Sequence, residues 1–338
     1  MNTLGWITPG GRVPRTGGTL YNRRMMHALR DIGLHIVEHP LEARWPLPPT
    51  DQHPALRAQL ASLPNGIPLV VDGLLWTGLA PMHSRLVASH ACTVLVHSPL
   101  FRETGITSER AQHLRRLEAQ ALRKASGCIA TGGPTCRDLE AQFGLIADTV
   151  PPGVHSTAPV PARNPLAMLS VATLTPRKGH DRLLRGLALV PELPWTLTCA
   201  GSTAVDPKWF GTIRELVETL GLADRVEFVG ELGQPALNQA FASAGLLVHT
   251  AHYEAWGMAL TEALARGIPL ISTPAGALEG PAAAAAHVLP PAPSPEQVAH
   301  AVRAVAASRH AELRMAAQTL RLPTWEDRAR ELVLALSR

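Results

Sequence analysis

Apolar and polar residues alternate along this chain in two registers. Short runs of consecutive apolar residues are followed, after a turn, by longer stretches whose apolar positions recur at helical spacing. "LGWITP" (residues 4–9) is a short apolar run that ends at Pro-Gly-Gly. "TLYNRRMMHALRDIG" (19–33) has helical spacing and stops at Gly33, and "LHIVEH" (34–39) reads as the next strand. "PLVVDGLL" (68–75) and "TVLVHSPL" (93–100) read as buried strands. "SERAQHLRRLEAQALRKA" (108–125) predicts a long helix, "GCIATGG" (127–133) a strand ending at glycines, and "PTCRDLEAQFG" (134–144) the helix after it. The proline-rich stretch "DTVPPGVHSTAPVPARNP" (148–165) has no periodicity and reads as an interdomain linker.

The alternation then restarts. "LAMLSVATL", "WTLTCAG", "VEFVG", "LLVHTA" and "PLIST" read as strands; "DRLLRGLALV", "WFGTIRELVETLG", "PALNQAFASA" and "MALTEALARG" read as helices between them. "GPAAAAAHVLPPAPSPE" (280–296) reads as a low-complexity loop around a short helix. "PTWEDRARELVLAL" (323–336) predicts a closing helix with Thr324 as its N-cap. No repeat of 20–50 residues is present. Strands alternating with helices of this length imply parallel sheets with crossover helices. The expected fold is therefore α/β, with two Rossmann-like doubly wound domains facing each other across a cleft. The expected boundaries are 1–160, 161–321 and a final helix, 322–338, crossing back to the first domain. Ligands of such sheets bind beyond the carboxyl ends of the strands.

Length agrees with this division, since 338 residues exceed one ordinary core. Hydrophobic residues make up 46% and charged residues 17%, a balance that excludes a disordered chain. The formal net charge of +4 resides in the first half: residues 1–160 hold 15 Lys+Arg against 11 Asp+Glu, and the remainder holds 16 of each. Such an excess suits an anionic partner or a membrane surface, though a solvated arginine-rich face is the ordinary outcome. Cys92, Cys128, Cys136 and Cys199 form no CxxC or zinc spacing and read as thiols of a reducing compartment. The opening "MNTLGWITPGGRVPRTGG" has no charged-then-apolar leader pattern, and no apolar run is long enough to span a membrane, so a cytoplasmic protein is expected.

The most informative stretch is "HYEAWGMALTEALARGIPL" (252–270), with Glu254 and Glu262 on either side of Gly257. A helix starting near Gly257 leaves the amides of Gly257, Met258 and Ala259 without partners inside it, a seat for phosphate. A carboxylate is repelled from that seat, so both glutamates need other partners. Glu262, more than a turn inside the helix, suits the vicinal hydroxyls of a ribose. Glu254, in the loop before it, suits a sugar carried on the phosphate. The ordinary alternative is a surface helix with two solvated glutamates. "ATLTPRKGHDRLL" places Arg177 and Lys178 in a turn after a strand, where paired cations can neutralise a diphosphate or merely lie exposed. "TPGGRVPRTGGTLYNRR" is a glycine-rich loop with Gly10, Gly11, Gly17 and Gly18; it is neither GxGxxG nor a P-loop. His97 ends a buried strand, a position that is either structural or aimed at a ligand.

Glu-x7-Glu ahead of "EALARGIPLIST", "LTPRKGHDRLL" upstream of it and "TGGTLYNRR" after the first strand together resemble family 4 of the retaining glycosyltransferases, with the GT-B fold. Sucrose-phosphate synthases and mannosyltransferases belong to that set. The likeness spans nearly the whole chain and is strongest over residues 169–275. It implies transfer of a sugar from a nucleotide diphosphate sugar to a small-molecule, glycan or lipid-linked acceptor. It implies Glu262 on the donor ribose, Glu254 at the donor sugar, and Lys178 with Arg177 on the diphosphate. The amides of Gly257, Met258 and Ala259 would cap that diphosphate. "VGEL", ending at Leu232, would lie against the nucleobase, and Gly17 and Gly18 would line the donor and acceptor cleft. His97 would touch the transferred sugar. Thr173 stands where many relatives carry an arginine, so either Arg177 replaces that charge or phosphate is bound less strongly than usual. The short first half suggests a small acceptor site.

No D-x-D occurs, so a metal-bridged diphosphate is not expected, and no cofactor is implied besides the nucleotide sugar. No nucleic-acid partner is expected; a peripheral membrane contact through the basic first half is a further partner this reading allows. A non-catalytic nucleotide-sugar binding protein and an NDP-sugar epimerase of the same fold are the competing functions.

Overall fold

The computed structural model describes residues 2–11, 16–103, 105–161 and 164–338. The chain divides into two compact units, Met1–Gly153 with Pro323–Arg338, and Val154–Leu322.

The first unit holds strands β1 (Thr3–Pro9), β2 (His35–Leu41), β3 (Leu69–Asp72), β4 (Cys92–Val96), β5 (Gly127–Ala130) and β6 (Asp148–Thr149) in the spatial order β2-β1-β3-β4-β5-β6, every pair parallel. Its helices are α1 (Gly17–Asp31), α2 (His53–Leu60), α3 (Gly73–Trp76), α4 (His83–Ser89), α5 (Ser108–Leu122) and α6 (Gly133–Phe143). Thr16 starts α1 through a capping box with Thr19, and α6 stops at Gly144, whose φ of 65° is the left-handed cap a glycine supplies. Ile7, Val71, Val94, Trp76 and Leu139 meet in one apolar core.

The second unit holds β7 (Ala167–Val171), β8 (Thr196–Ala200), β9 (Val226–Gly230), β10 (Leu246–His249), β11 (Leu270–Ser272) and β12 (Ala286–Val288), ordered β12-β11-β10-β7-β8-β9 and again parallel. Its helices are α7 (His180–Leu187), α8 (Pro207–Thr219), α9 (Gln234–Ser243), α10 (Met258–Leu264), α11 (Pro295–Ala304) and α12 (His310–Thr319). Successive strand residues serve opposite faces, as the two-residue period requires. Met168, Leu246 and Ile271 enter one core, while Leu169, Leu247 and Leu270 enter the other.

Helix α13 (Trp325–Ala335) belongs to the first unit and packs on α1. Thr324 caps it through a box with Asp327. Trp325 meets Tyr21 edge-on at 5.5 Å, and the Tyr21 hydroxyl donates to the Val150 carbonyl.

Several elements differ from the pattern in the sequence. The strand read into "PLVVDGLL" ends at Asp72, because that carboxylate accepts from the Leu74 amide and starts α3. The strand read into "TVLVHSPL" ends at Val96, where Pro99 and the Glu118 carboxyl group, accepting from the Leu100 amide, turn the chain. The linker stretch contributes β6. The alanine-rich stretch read as a loop holds β12, paired to β11, and Ser294 then caps α11 through Gln297.

Candidate active site

Each sheet reverses its strand order once, and each reversal collects polar side chains at the carboxyl ends of its strands. In the second unit the reversal lies between β7 and β10, the switch point where doubly wound sheets bind ligands. The chain leaving β7 makes a one-turn helix at Pro176–Lys178, closed by Gly179 at φ 66°. The chain leaving β10 runs His249, Thr250, Ala251, His252, Tyr253, Glu254 before Gly257 starts α10.

These two segments are laced together. Arg177 Nη1 donates to the Tyr253 carbonyl at 3.1 Å, the His252 amide to the Arg177 carbonyl at 2.8 Å, and Thr250 Oγ1 to the Gly179 carbonyl at 2.8 Å. A Cβ on Gly179 would stand 2.1 Å from the Thr250 oxygen, so only glycine permits this approach. At the centre, Lys178 Nζ lies 2.5 Å from Glu254 Oε2, both side chains largely buried. His249 Nε2 lies 3.2 Å from the same oxygen, outside in-line hydrogen-bond geometry. Burial pushes the Glu254 carboxyl up, but Lys178, His249 and Arg177 together outweigh it and hold it well below the usual carboxylate range. Burial lowers His249 against the pull of Glu254. His180, at the start of α7, is fully buried and pushed down to about 3 by that burial, with His249 and Lys178 adding to the effect. Glu254 is thus an ionised carboxylate in a cationic nest.

Gly257 takes φ 94° and caps α10 without a side chain; a Cβ there would strike Leu260. Met258 and Ala259 form the first turn of this seven-residue helix. Glu262 is half-buried on the same helix, and its carbonyl accepts from Arg266 Nη1. Leu232 packs at the edge of a core cluster, beyond Gly230, whose carbonyl accepts from the Gly201 amide. Thr173 lies in the strand-to-turn segment whose next residue, Leu174, bonds Ser202.

In the first unit the reversal lies between β1 and β3. The glycine-rich segment after β1 runs partly through residues 12–15, which lie outside the described residues. Gly17 opens α1 with open space around its Cα, whereas a Cβ on Gly18 would stand 2.9 Å from His97 Cδ2. Gly18 therefore lets the His97 ring lie against the first turn of α1. Asn22 Nδ2 donates to Asp72 Oδ2 at 2.5 Å, and His97 Nε2 lies 3.2 Å from Asn22 Oδ1 and 3.4 Å from Asp72 Oδ2. Tyr21 meets the His97 ring edge-on at 5.2 Å. Burial pushes Asp72 up, but His97, the Leu74 amide and Asn22 bring it below the ordinary value.

The structure thus brings Lys178, Arg177 and Glu254 together in one unit, and Gly18 and His97 in the other. Asp72, Asn22 and His249 escaped the sequence reading. A polar residue at the end of an apolar run, "LVVD" or "LLVH", is the signal that marks two of them. Asn22, one turn and more into a helix, carries no such signal. Among the described residues, no group of three or more His, Cys, Asp or Glu side chains has the arrangement of a metal site.

This fold is that of the GT-B glycosyltransferase structures. Sucrose-phosphate synthase from Thermosynechococcus elongatus superposes with a TM-score of 0.78 at 20% identity, covering 99% of this chain and 98% of that one. The Anabaena protein HepE, solved in complex with UDP-glucose, superposes with a TM-score of 0.80 at 16% identity, covering 99% of each chain. Residues 158–320 match the family model of glycosyl transferases group 1, and the second unit is a domain of that family. Mannosylfructose-phosphate synthase of Agrobacterium fabrum is 31% identical over 117 residues, 33% of this chain; the matched stretch spans 26% of that protein's length.

Proposed function

We propose that this chain is a retaining, metal-independent glycosyltransferase. It takes a sugar from a nucleotide diphosphate sugar and passes it to a small-molecule, glycan or lipid-linked acceptor. The observation that carries the reading is the Lys178–Glu254 contact at the strand-order reversal of a glycosyl transferases group 1 domain. That HepE, of the same fold, is solved with UDP-glucose supports a nucleotide sugar as the donor class.

In this reading Lys178 and Arg177 neutralise the diphosphate, with the amides of Gly257, Met258 and Ala259 adding donors at the start of α10. Glu262 accepts from the ribose hydroxyls, and Leu232 lies beside the base. Glu254, ionised and fixed in direction, faces the sugar, where positive charge develops as the bond to phosphate breaks. The departing phosphate oxygen takes the acceptor's proton, so no separate base is required. His97 holds a hydroxyl of the transferred sugar, with Gly17 and Gly18 lining the approach. The sequence offers cations in place of D-x-D for the leaving group. The four free cysteines suit a cytoplasmic setting.

The test is a panel of UDP-, GDP- and ADP-sugars screened by thermal shift, followed by transfer and hydrolysis assays with the donor that stabilises most. Donor binding with neither transfer nor hydrolysis on any acceptor class favours the non-catalytic binding protein. Interconversion of free donor sugars favours the epimerase.

A further inference from the structure

His97 is reached by two buried polar side chains from elements distant in sequence, and the arrangement determines which ring nitrogen carries hydrogen. Asp72 ends β3 and is 3% exposed; Asn22 lies on α1 and is 2% exposed. The Leu74 amide donates to Asp72 Oδ1 at 2.8 Å. The other carboxylate oxygen receives Asn22 Nδ2 at 2.5 Å. An ionised carboxylate only accepts, so the amide must present its NH2 to Asp72 and its oxygen to the ring. His97 Nε2 then faces two acceptors, Asn22 Oδ1 at 3.2 Å and Asp72 Oδ2 at 3.4 Å. A lone pair on Nε2 would point at both oxygens and be repelled by both. A hydrogen there satisfies both.

We infer that Asp72 and Asn22 are positioning residues that lock His97 as the Nε2–H tautomer, leaving Nδ1 as an acceptor for a hydroxyl group. The ring is fixed further by its neighbours. Gly18 leaves room for it, Tyr21 abuts its edge, and Thr131 Oγ1 donates to the His97 carbonyl at 3.3 Å. Among the described residues Nδ1 has no hydrogen-bond partner. A neutral ring so held takes a hydrogen bond from a hydroxyl of sugar or acceptor, and it is not set up to give one. Its use in sugar transfer rests on the function proposed above; the tautomer does not.

The test is nitrogen-15 NMR of the imidazoles in the full-length, ligand-free protein at a pH where His97 is neutral. The signal is assigned among the 15 histidines by its loss in His97→Gln. The expected result is a single tautomer with hydrogen on Nε2. Asp72→Asn introduces an NH2 that can face the ring, so the hydrogen should move to Nδ1 or divide between both nitrogens. The same substitution should lower kcat at least tenfold with the donor KM changed less than threefold. Hydrogen on Nδ1 in the wild-type protein overturns the inference, and this measurement needs only the assigning variant His97→Gln to fold, not Asp72→Asn. An unchanged tautomer in folded Asp72→Asn also overturns it. If the tautomer moves as expected while kcat stays constant, the positioning stands and the sugar-contacting role of His97 falls.

Discussion

Lys178 Nζ and Glu254 Oε2 lie 2.5 Å apart, although 76 residues separate them in sequence. The contact exists because β7 and β10 are neighbours at the reversal of the sheet, so the turns leaving both strands share one place. A lysine paired this way is held in direction before any diphosphate arrives, and the glutamate is kept ionised despite burial. In the proposed function, two opposite demands, attracting an anion and facing a developing cation, fall to adjacent groups that hold each other in check.

The two glutamates should fail differently. Glu262→Gln should chiefly raise the donor KM, since ribose contacts are alike in ground and transition states. Glu254→Gln should chiefly lower kcat, by about tenfold or more, and His97→Ala should behave likewise. Steady-state kinetics on the three variants decides. Full kcat in Glu254→Gln with loss in Glu262→Gln reverses the assignment of roles.

Chelation should leave transfer largely intact, because the proposed function gives the work of a bridging cation to Lys178, Arg177 and backbone amides. The assay is initial rate with and without EDTA. Complete loss, restored by magnesium or manganese, contradicts this.

Gly179→Ala should reduce donor affinity although it removes no charged group. The left-handed φ of 66° costs alanine about 1 kcal/mol, and its Cβ would stand 2.1 Å from the Thr250 oxygen, displacing the turn that carries Lys178. A variant with unchanged melting temperature and donor Kd shows the turn to be unimportant.

Two buried groups should shape stability against pH, with opposite signs. Burial pushes Glu118 up to about 8, so the folded chain keeps a proton that the unfolded chain releases near pH 4.5. Its contribution is complete below that lower value and is lost as pH rises through 8, by roughly 1.4 kcal/mol per unit between them. Glu118→Gln, whose amide oxygen can still accept from Leu100, should flatten the alkaline fall. His180 is pushed down to about 3, so the unfolded chain binds the extra proton below pH 6.5, and stability falls as pH drops from there. His180→Leu should flatten the acid fall. It also removes two buried ring nitrogens with no partner among the described residues, so its cost at pH 7 should be small. Melting curves from pH 4 to 9 test both; parallel curves for variant and wild type count against the assignment.

Much of the fold was legible because both sheets are parallel and buried on two faces, so β3 and β10 appear as unbroken apolar runs. Helix α1 was legible from its spacing and its stop at Gly33. Less was visible where context overrides propensity. Strand β12 is three residues of an alanine- and proline-rich stretch, and only the open edge of β11 makes it a strand. Helices α2 and α4 are one to two turns long and carry too few periodic positions to stand out. At the sites, sequence spacing reveals Glu254 and Glu262 because one segment carries both. Asp72, Asn22 and His97 lie 25 to 75 residues apart, and His249 reads as the last residue of a core strand. Their grouping depends on strand order, which no local pattern encodes.

The central claim is that Lys178, paired with Glu254, receives the diphosphate of the donor. Isothermal titration of UDP and GDP into the wild-type protein and Lys178→Ala tests it directly, with circular dichroism confirming that the variant is folded. Loss of a hydrogen bond to a charged group weakens binding by about 1.5–3 kcal/mol, roughly ten- to 150-fold in Kd. Saturable binding of one nucleoside diphosphate to the wild type, weakened to that extent in the variant, is the predicted result. Equal affinity in the two proteins removes Lys178 from the site and contradicts the account.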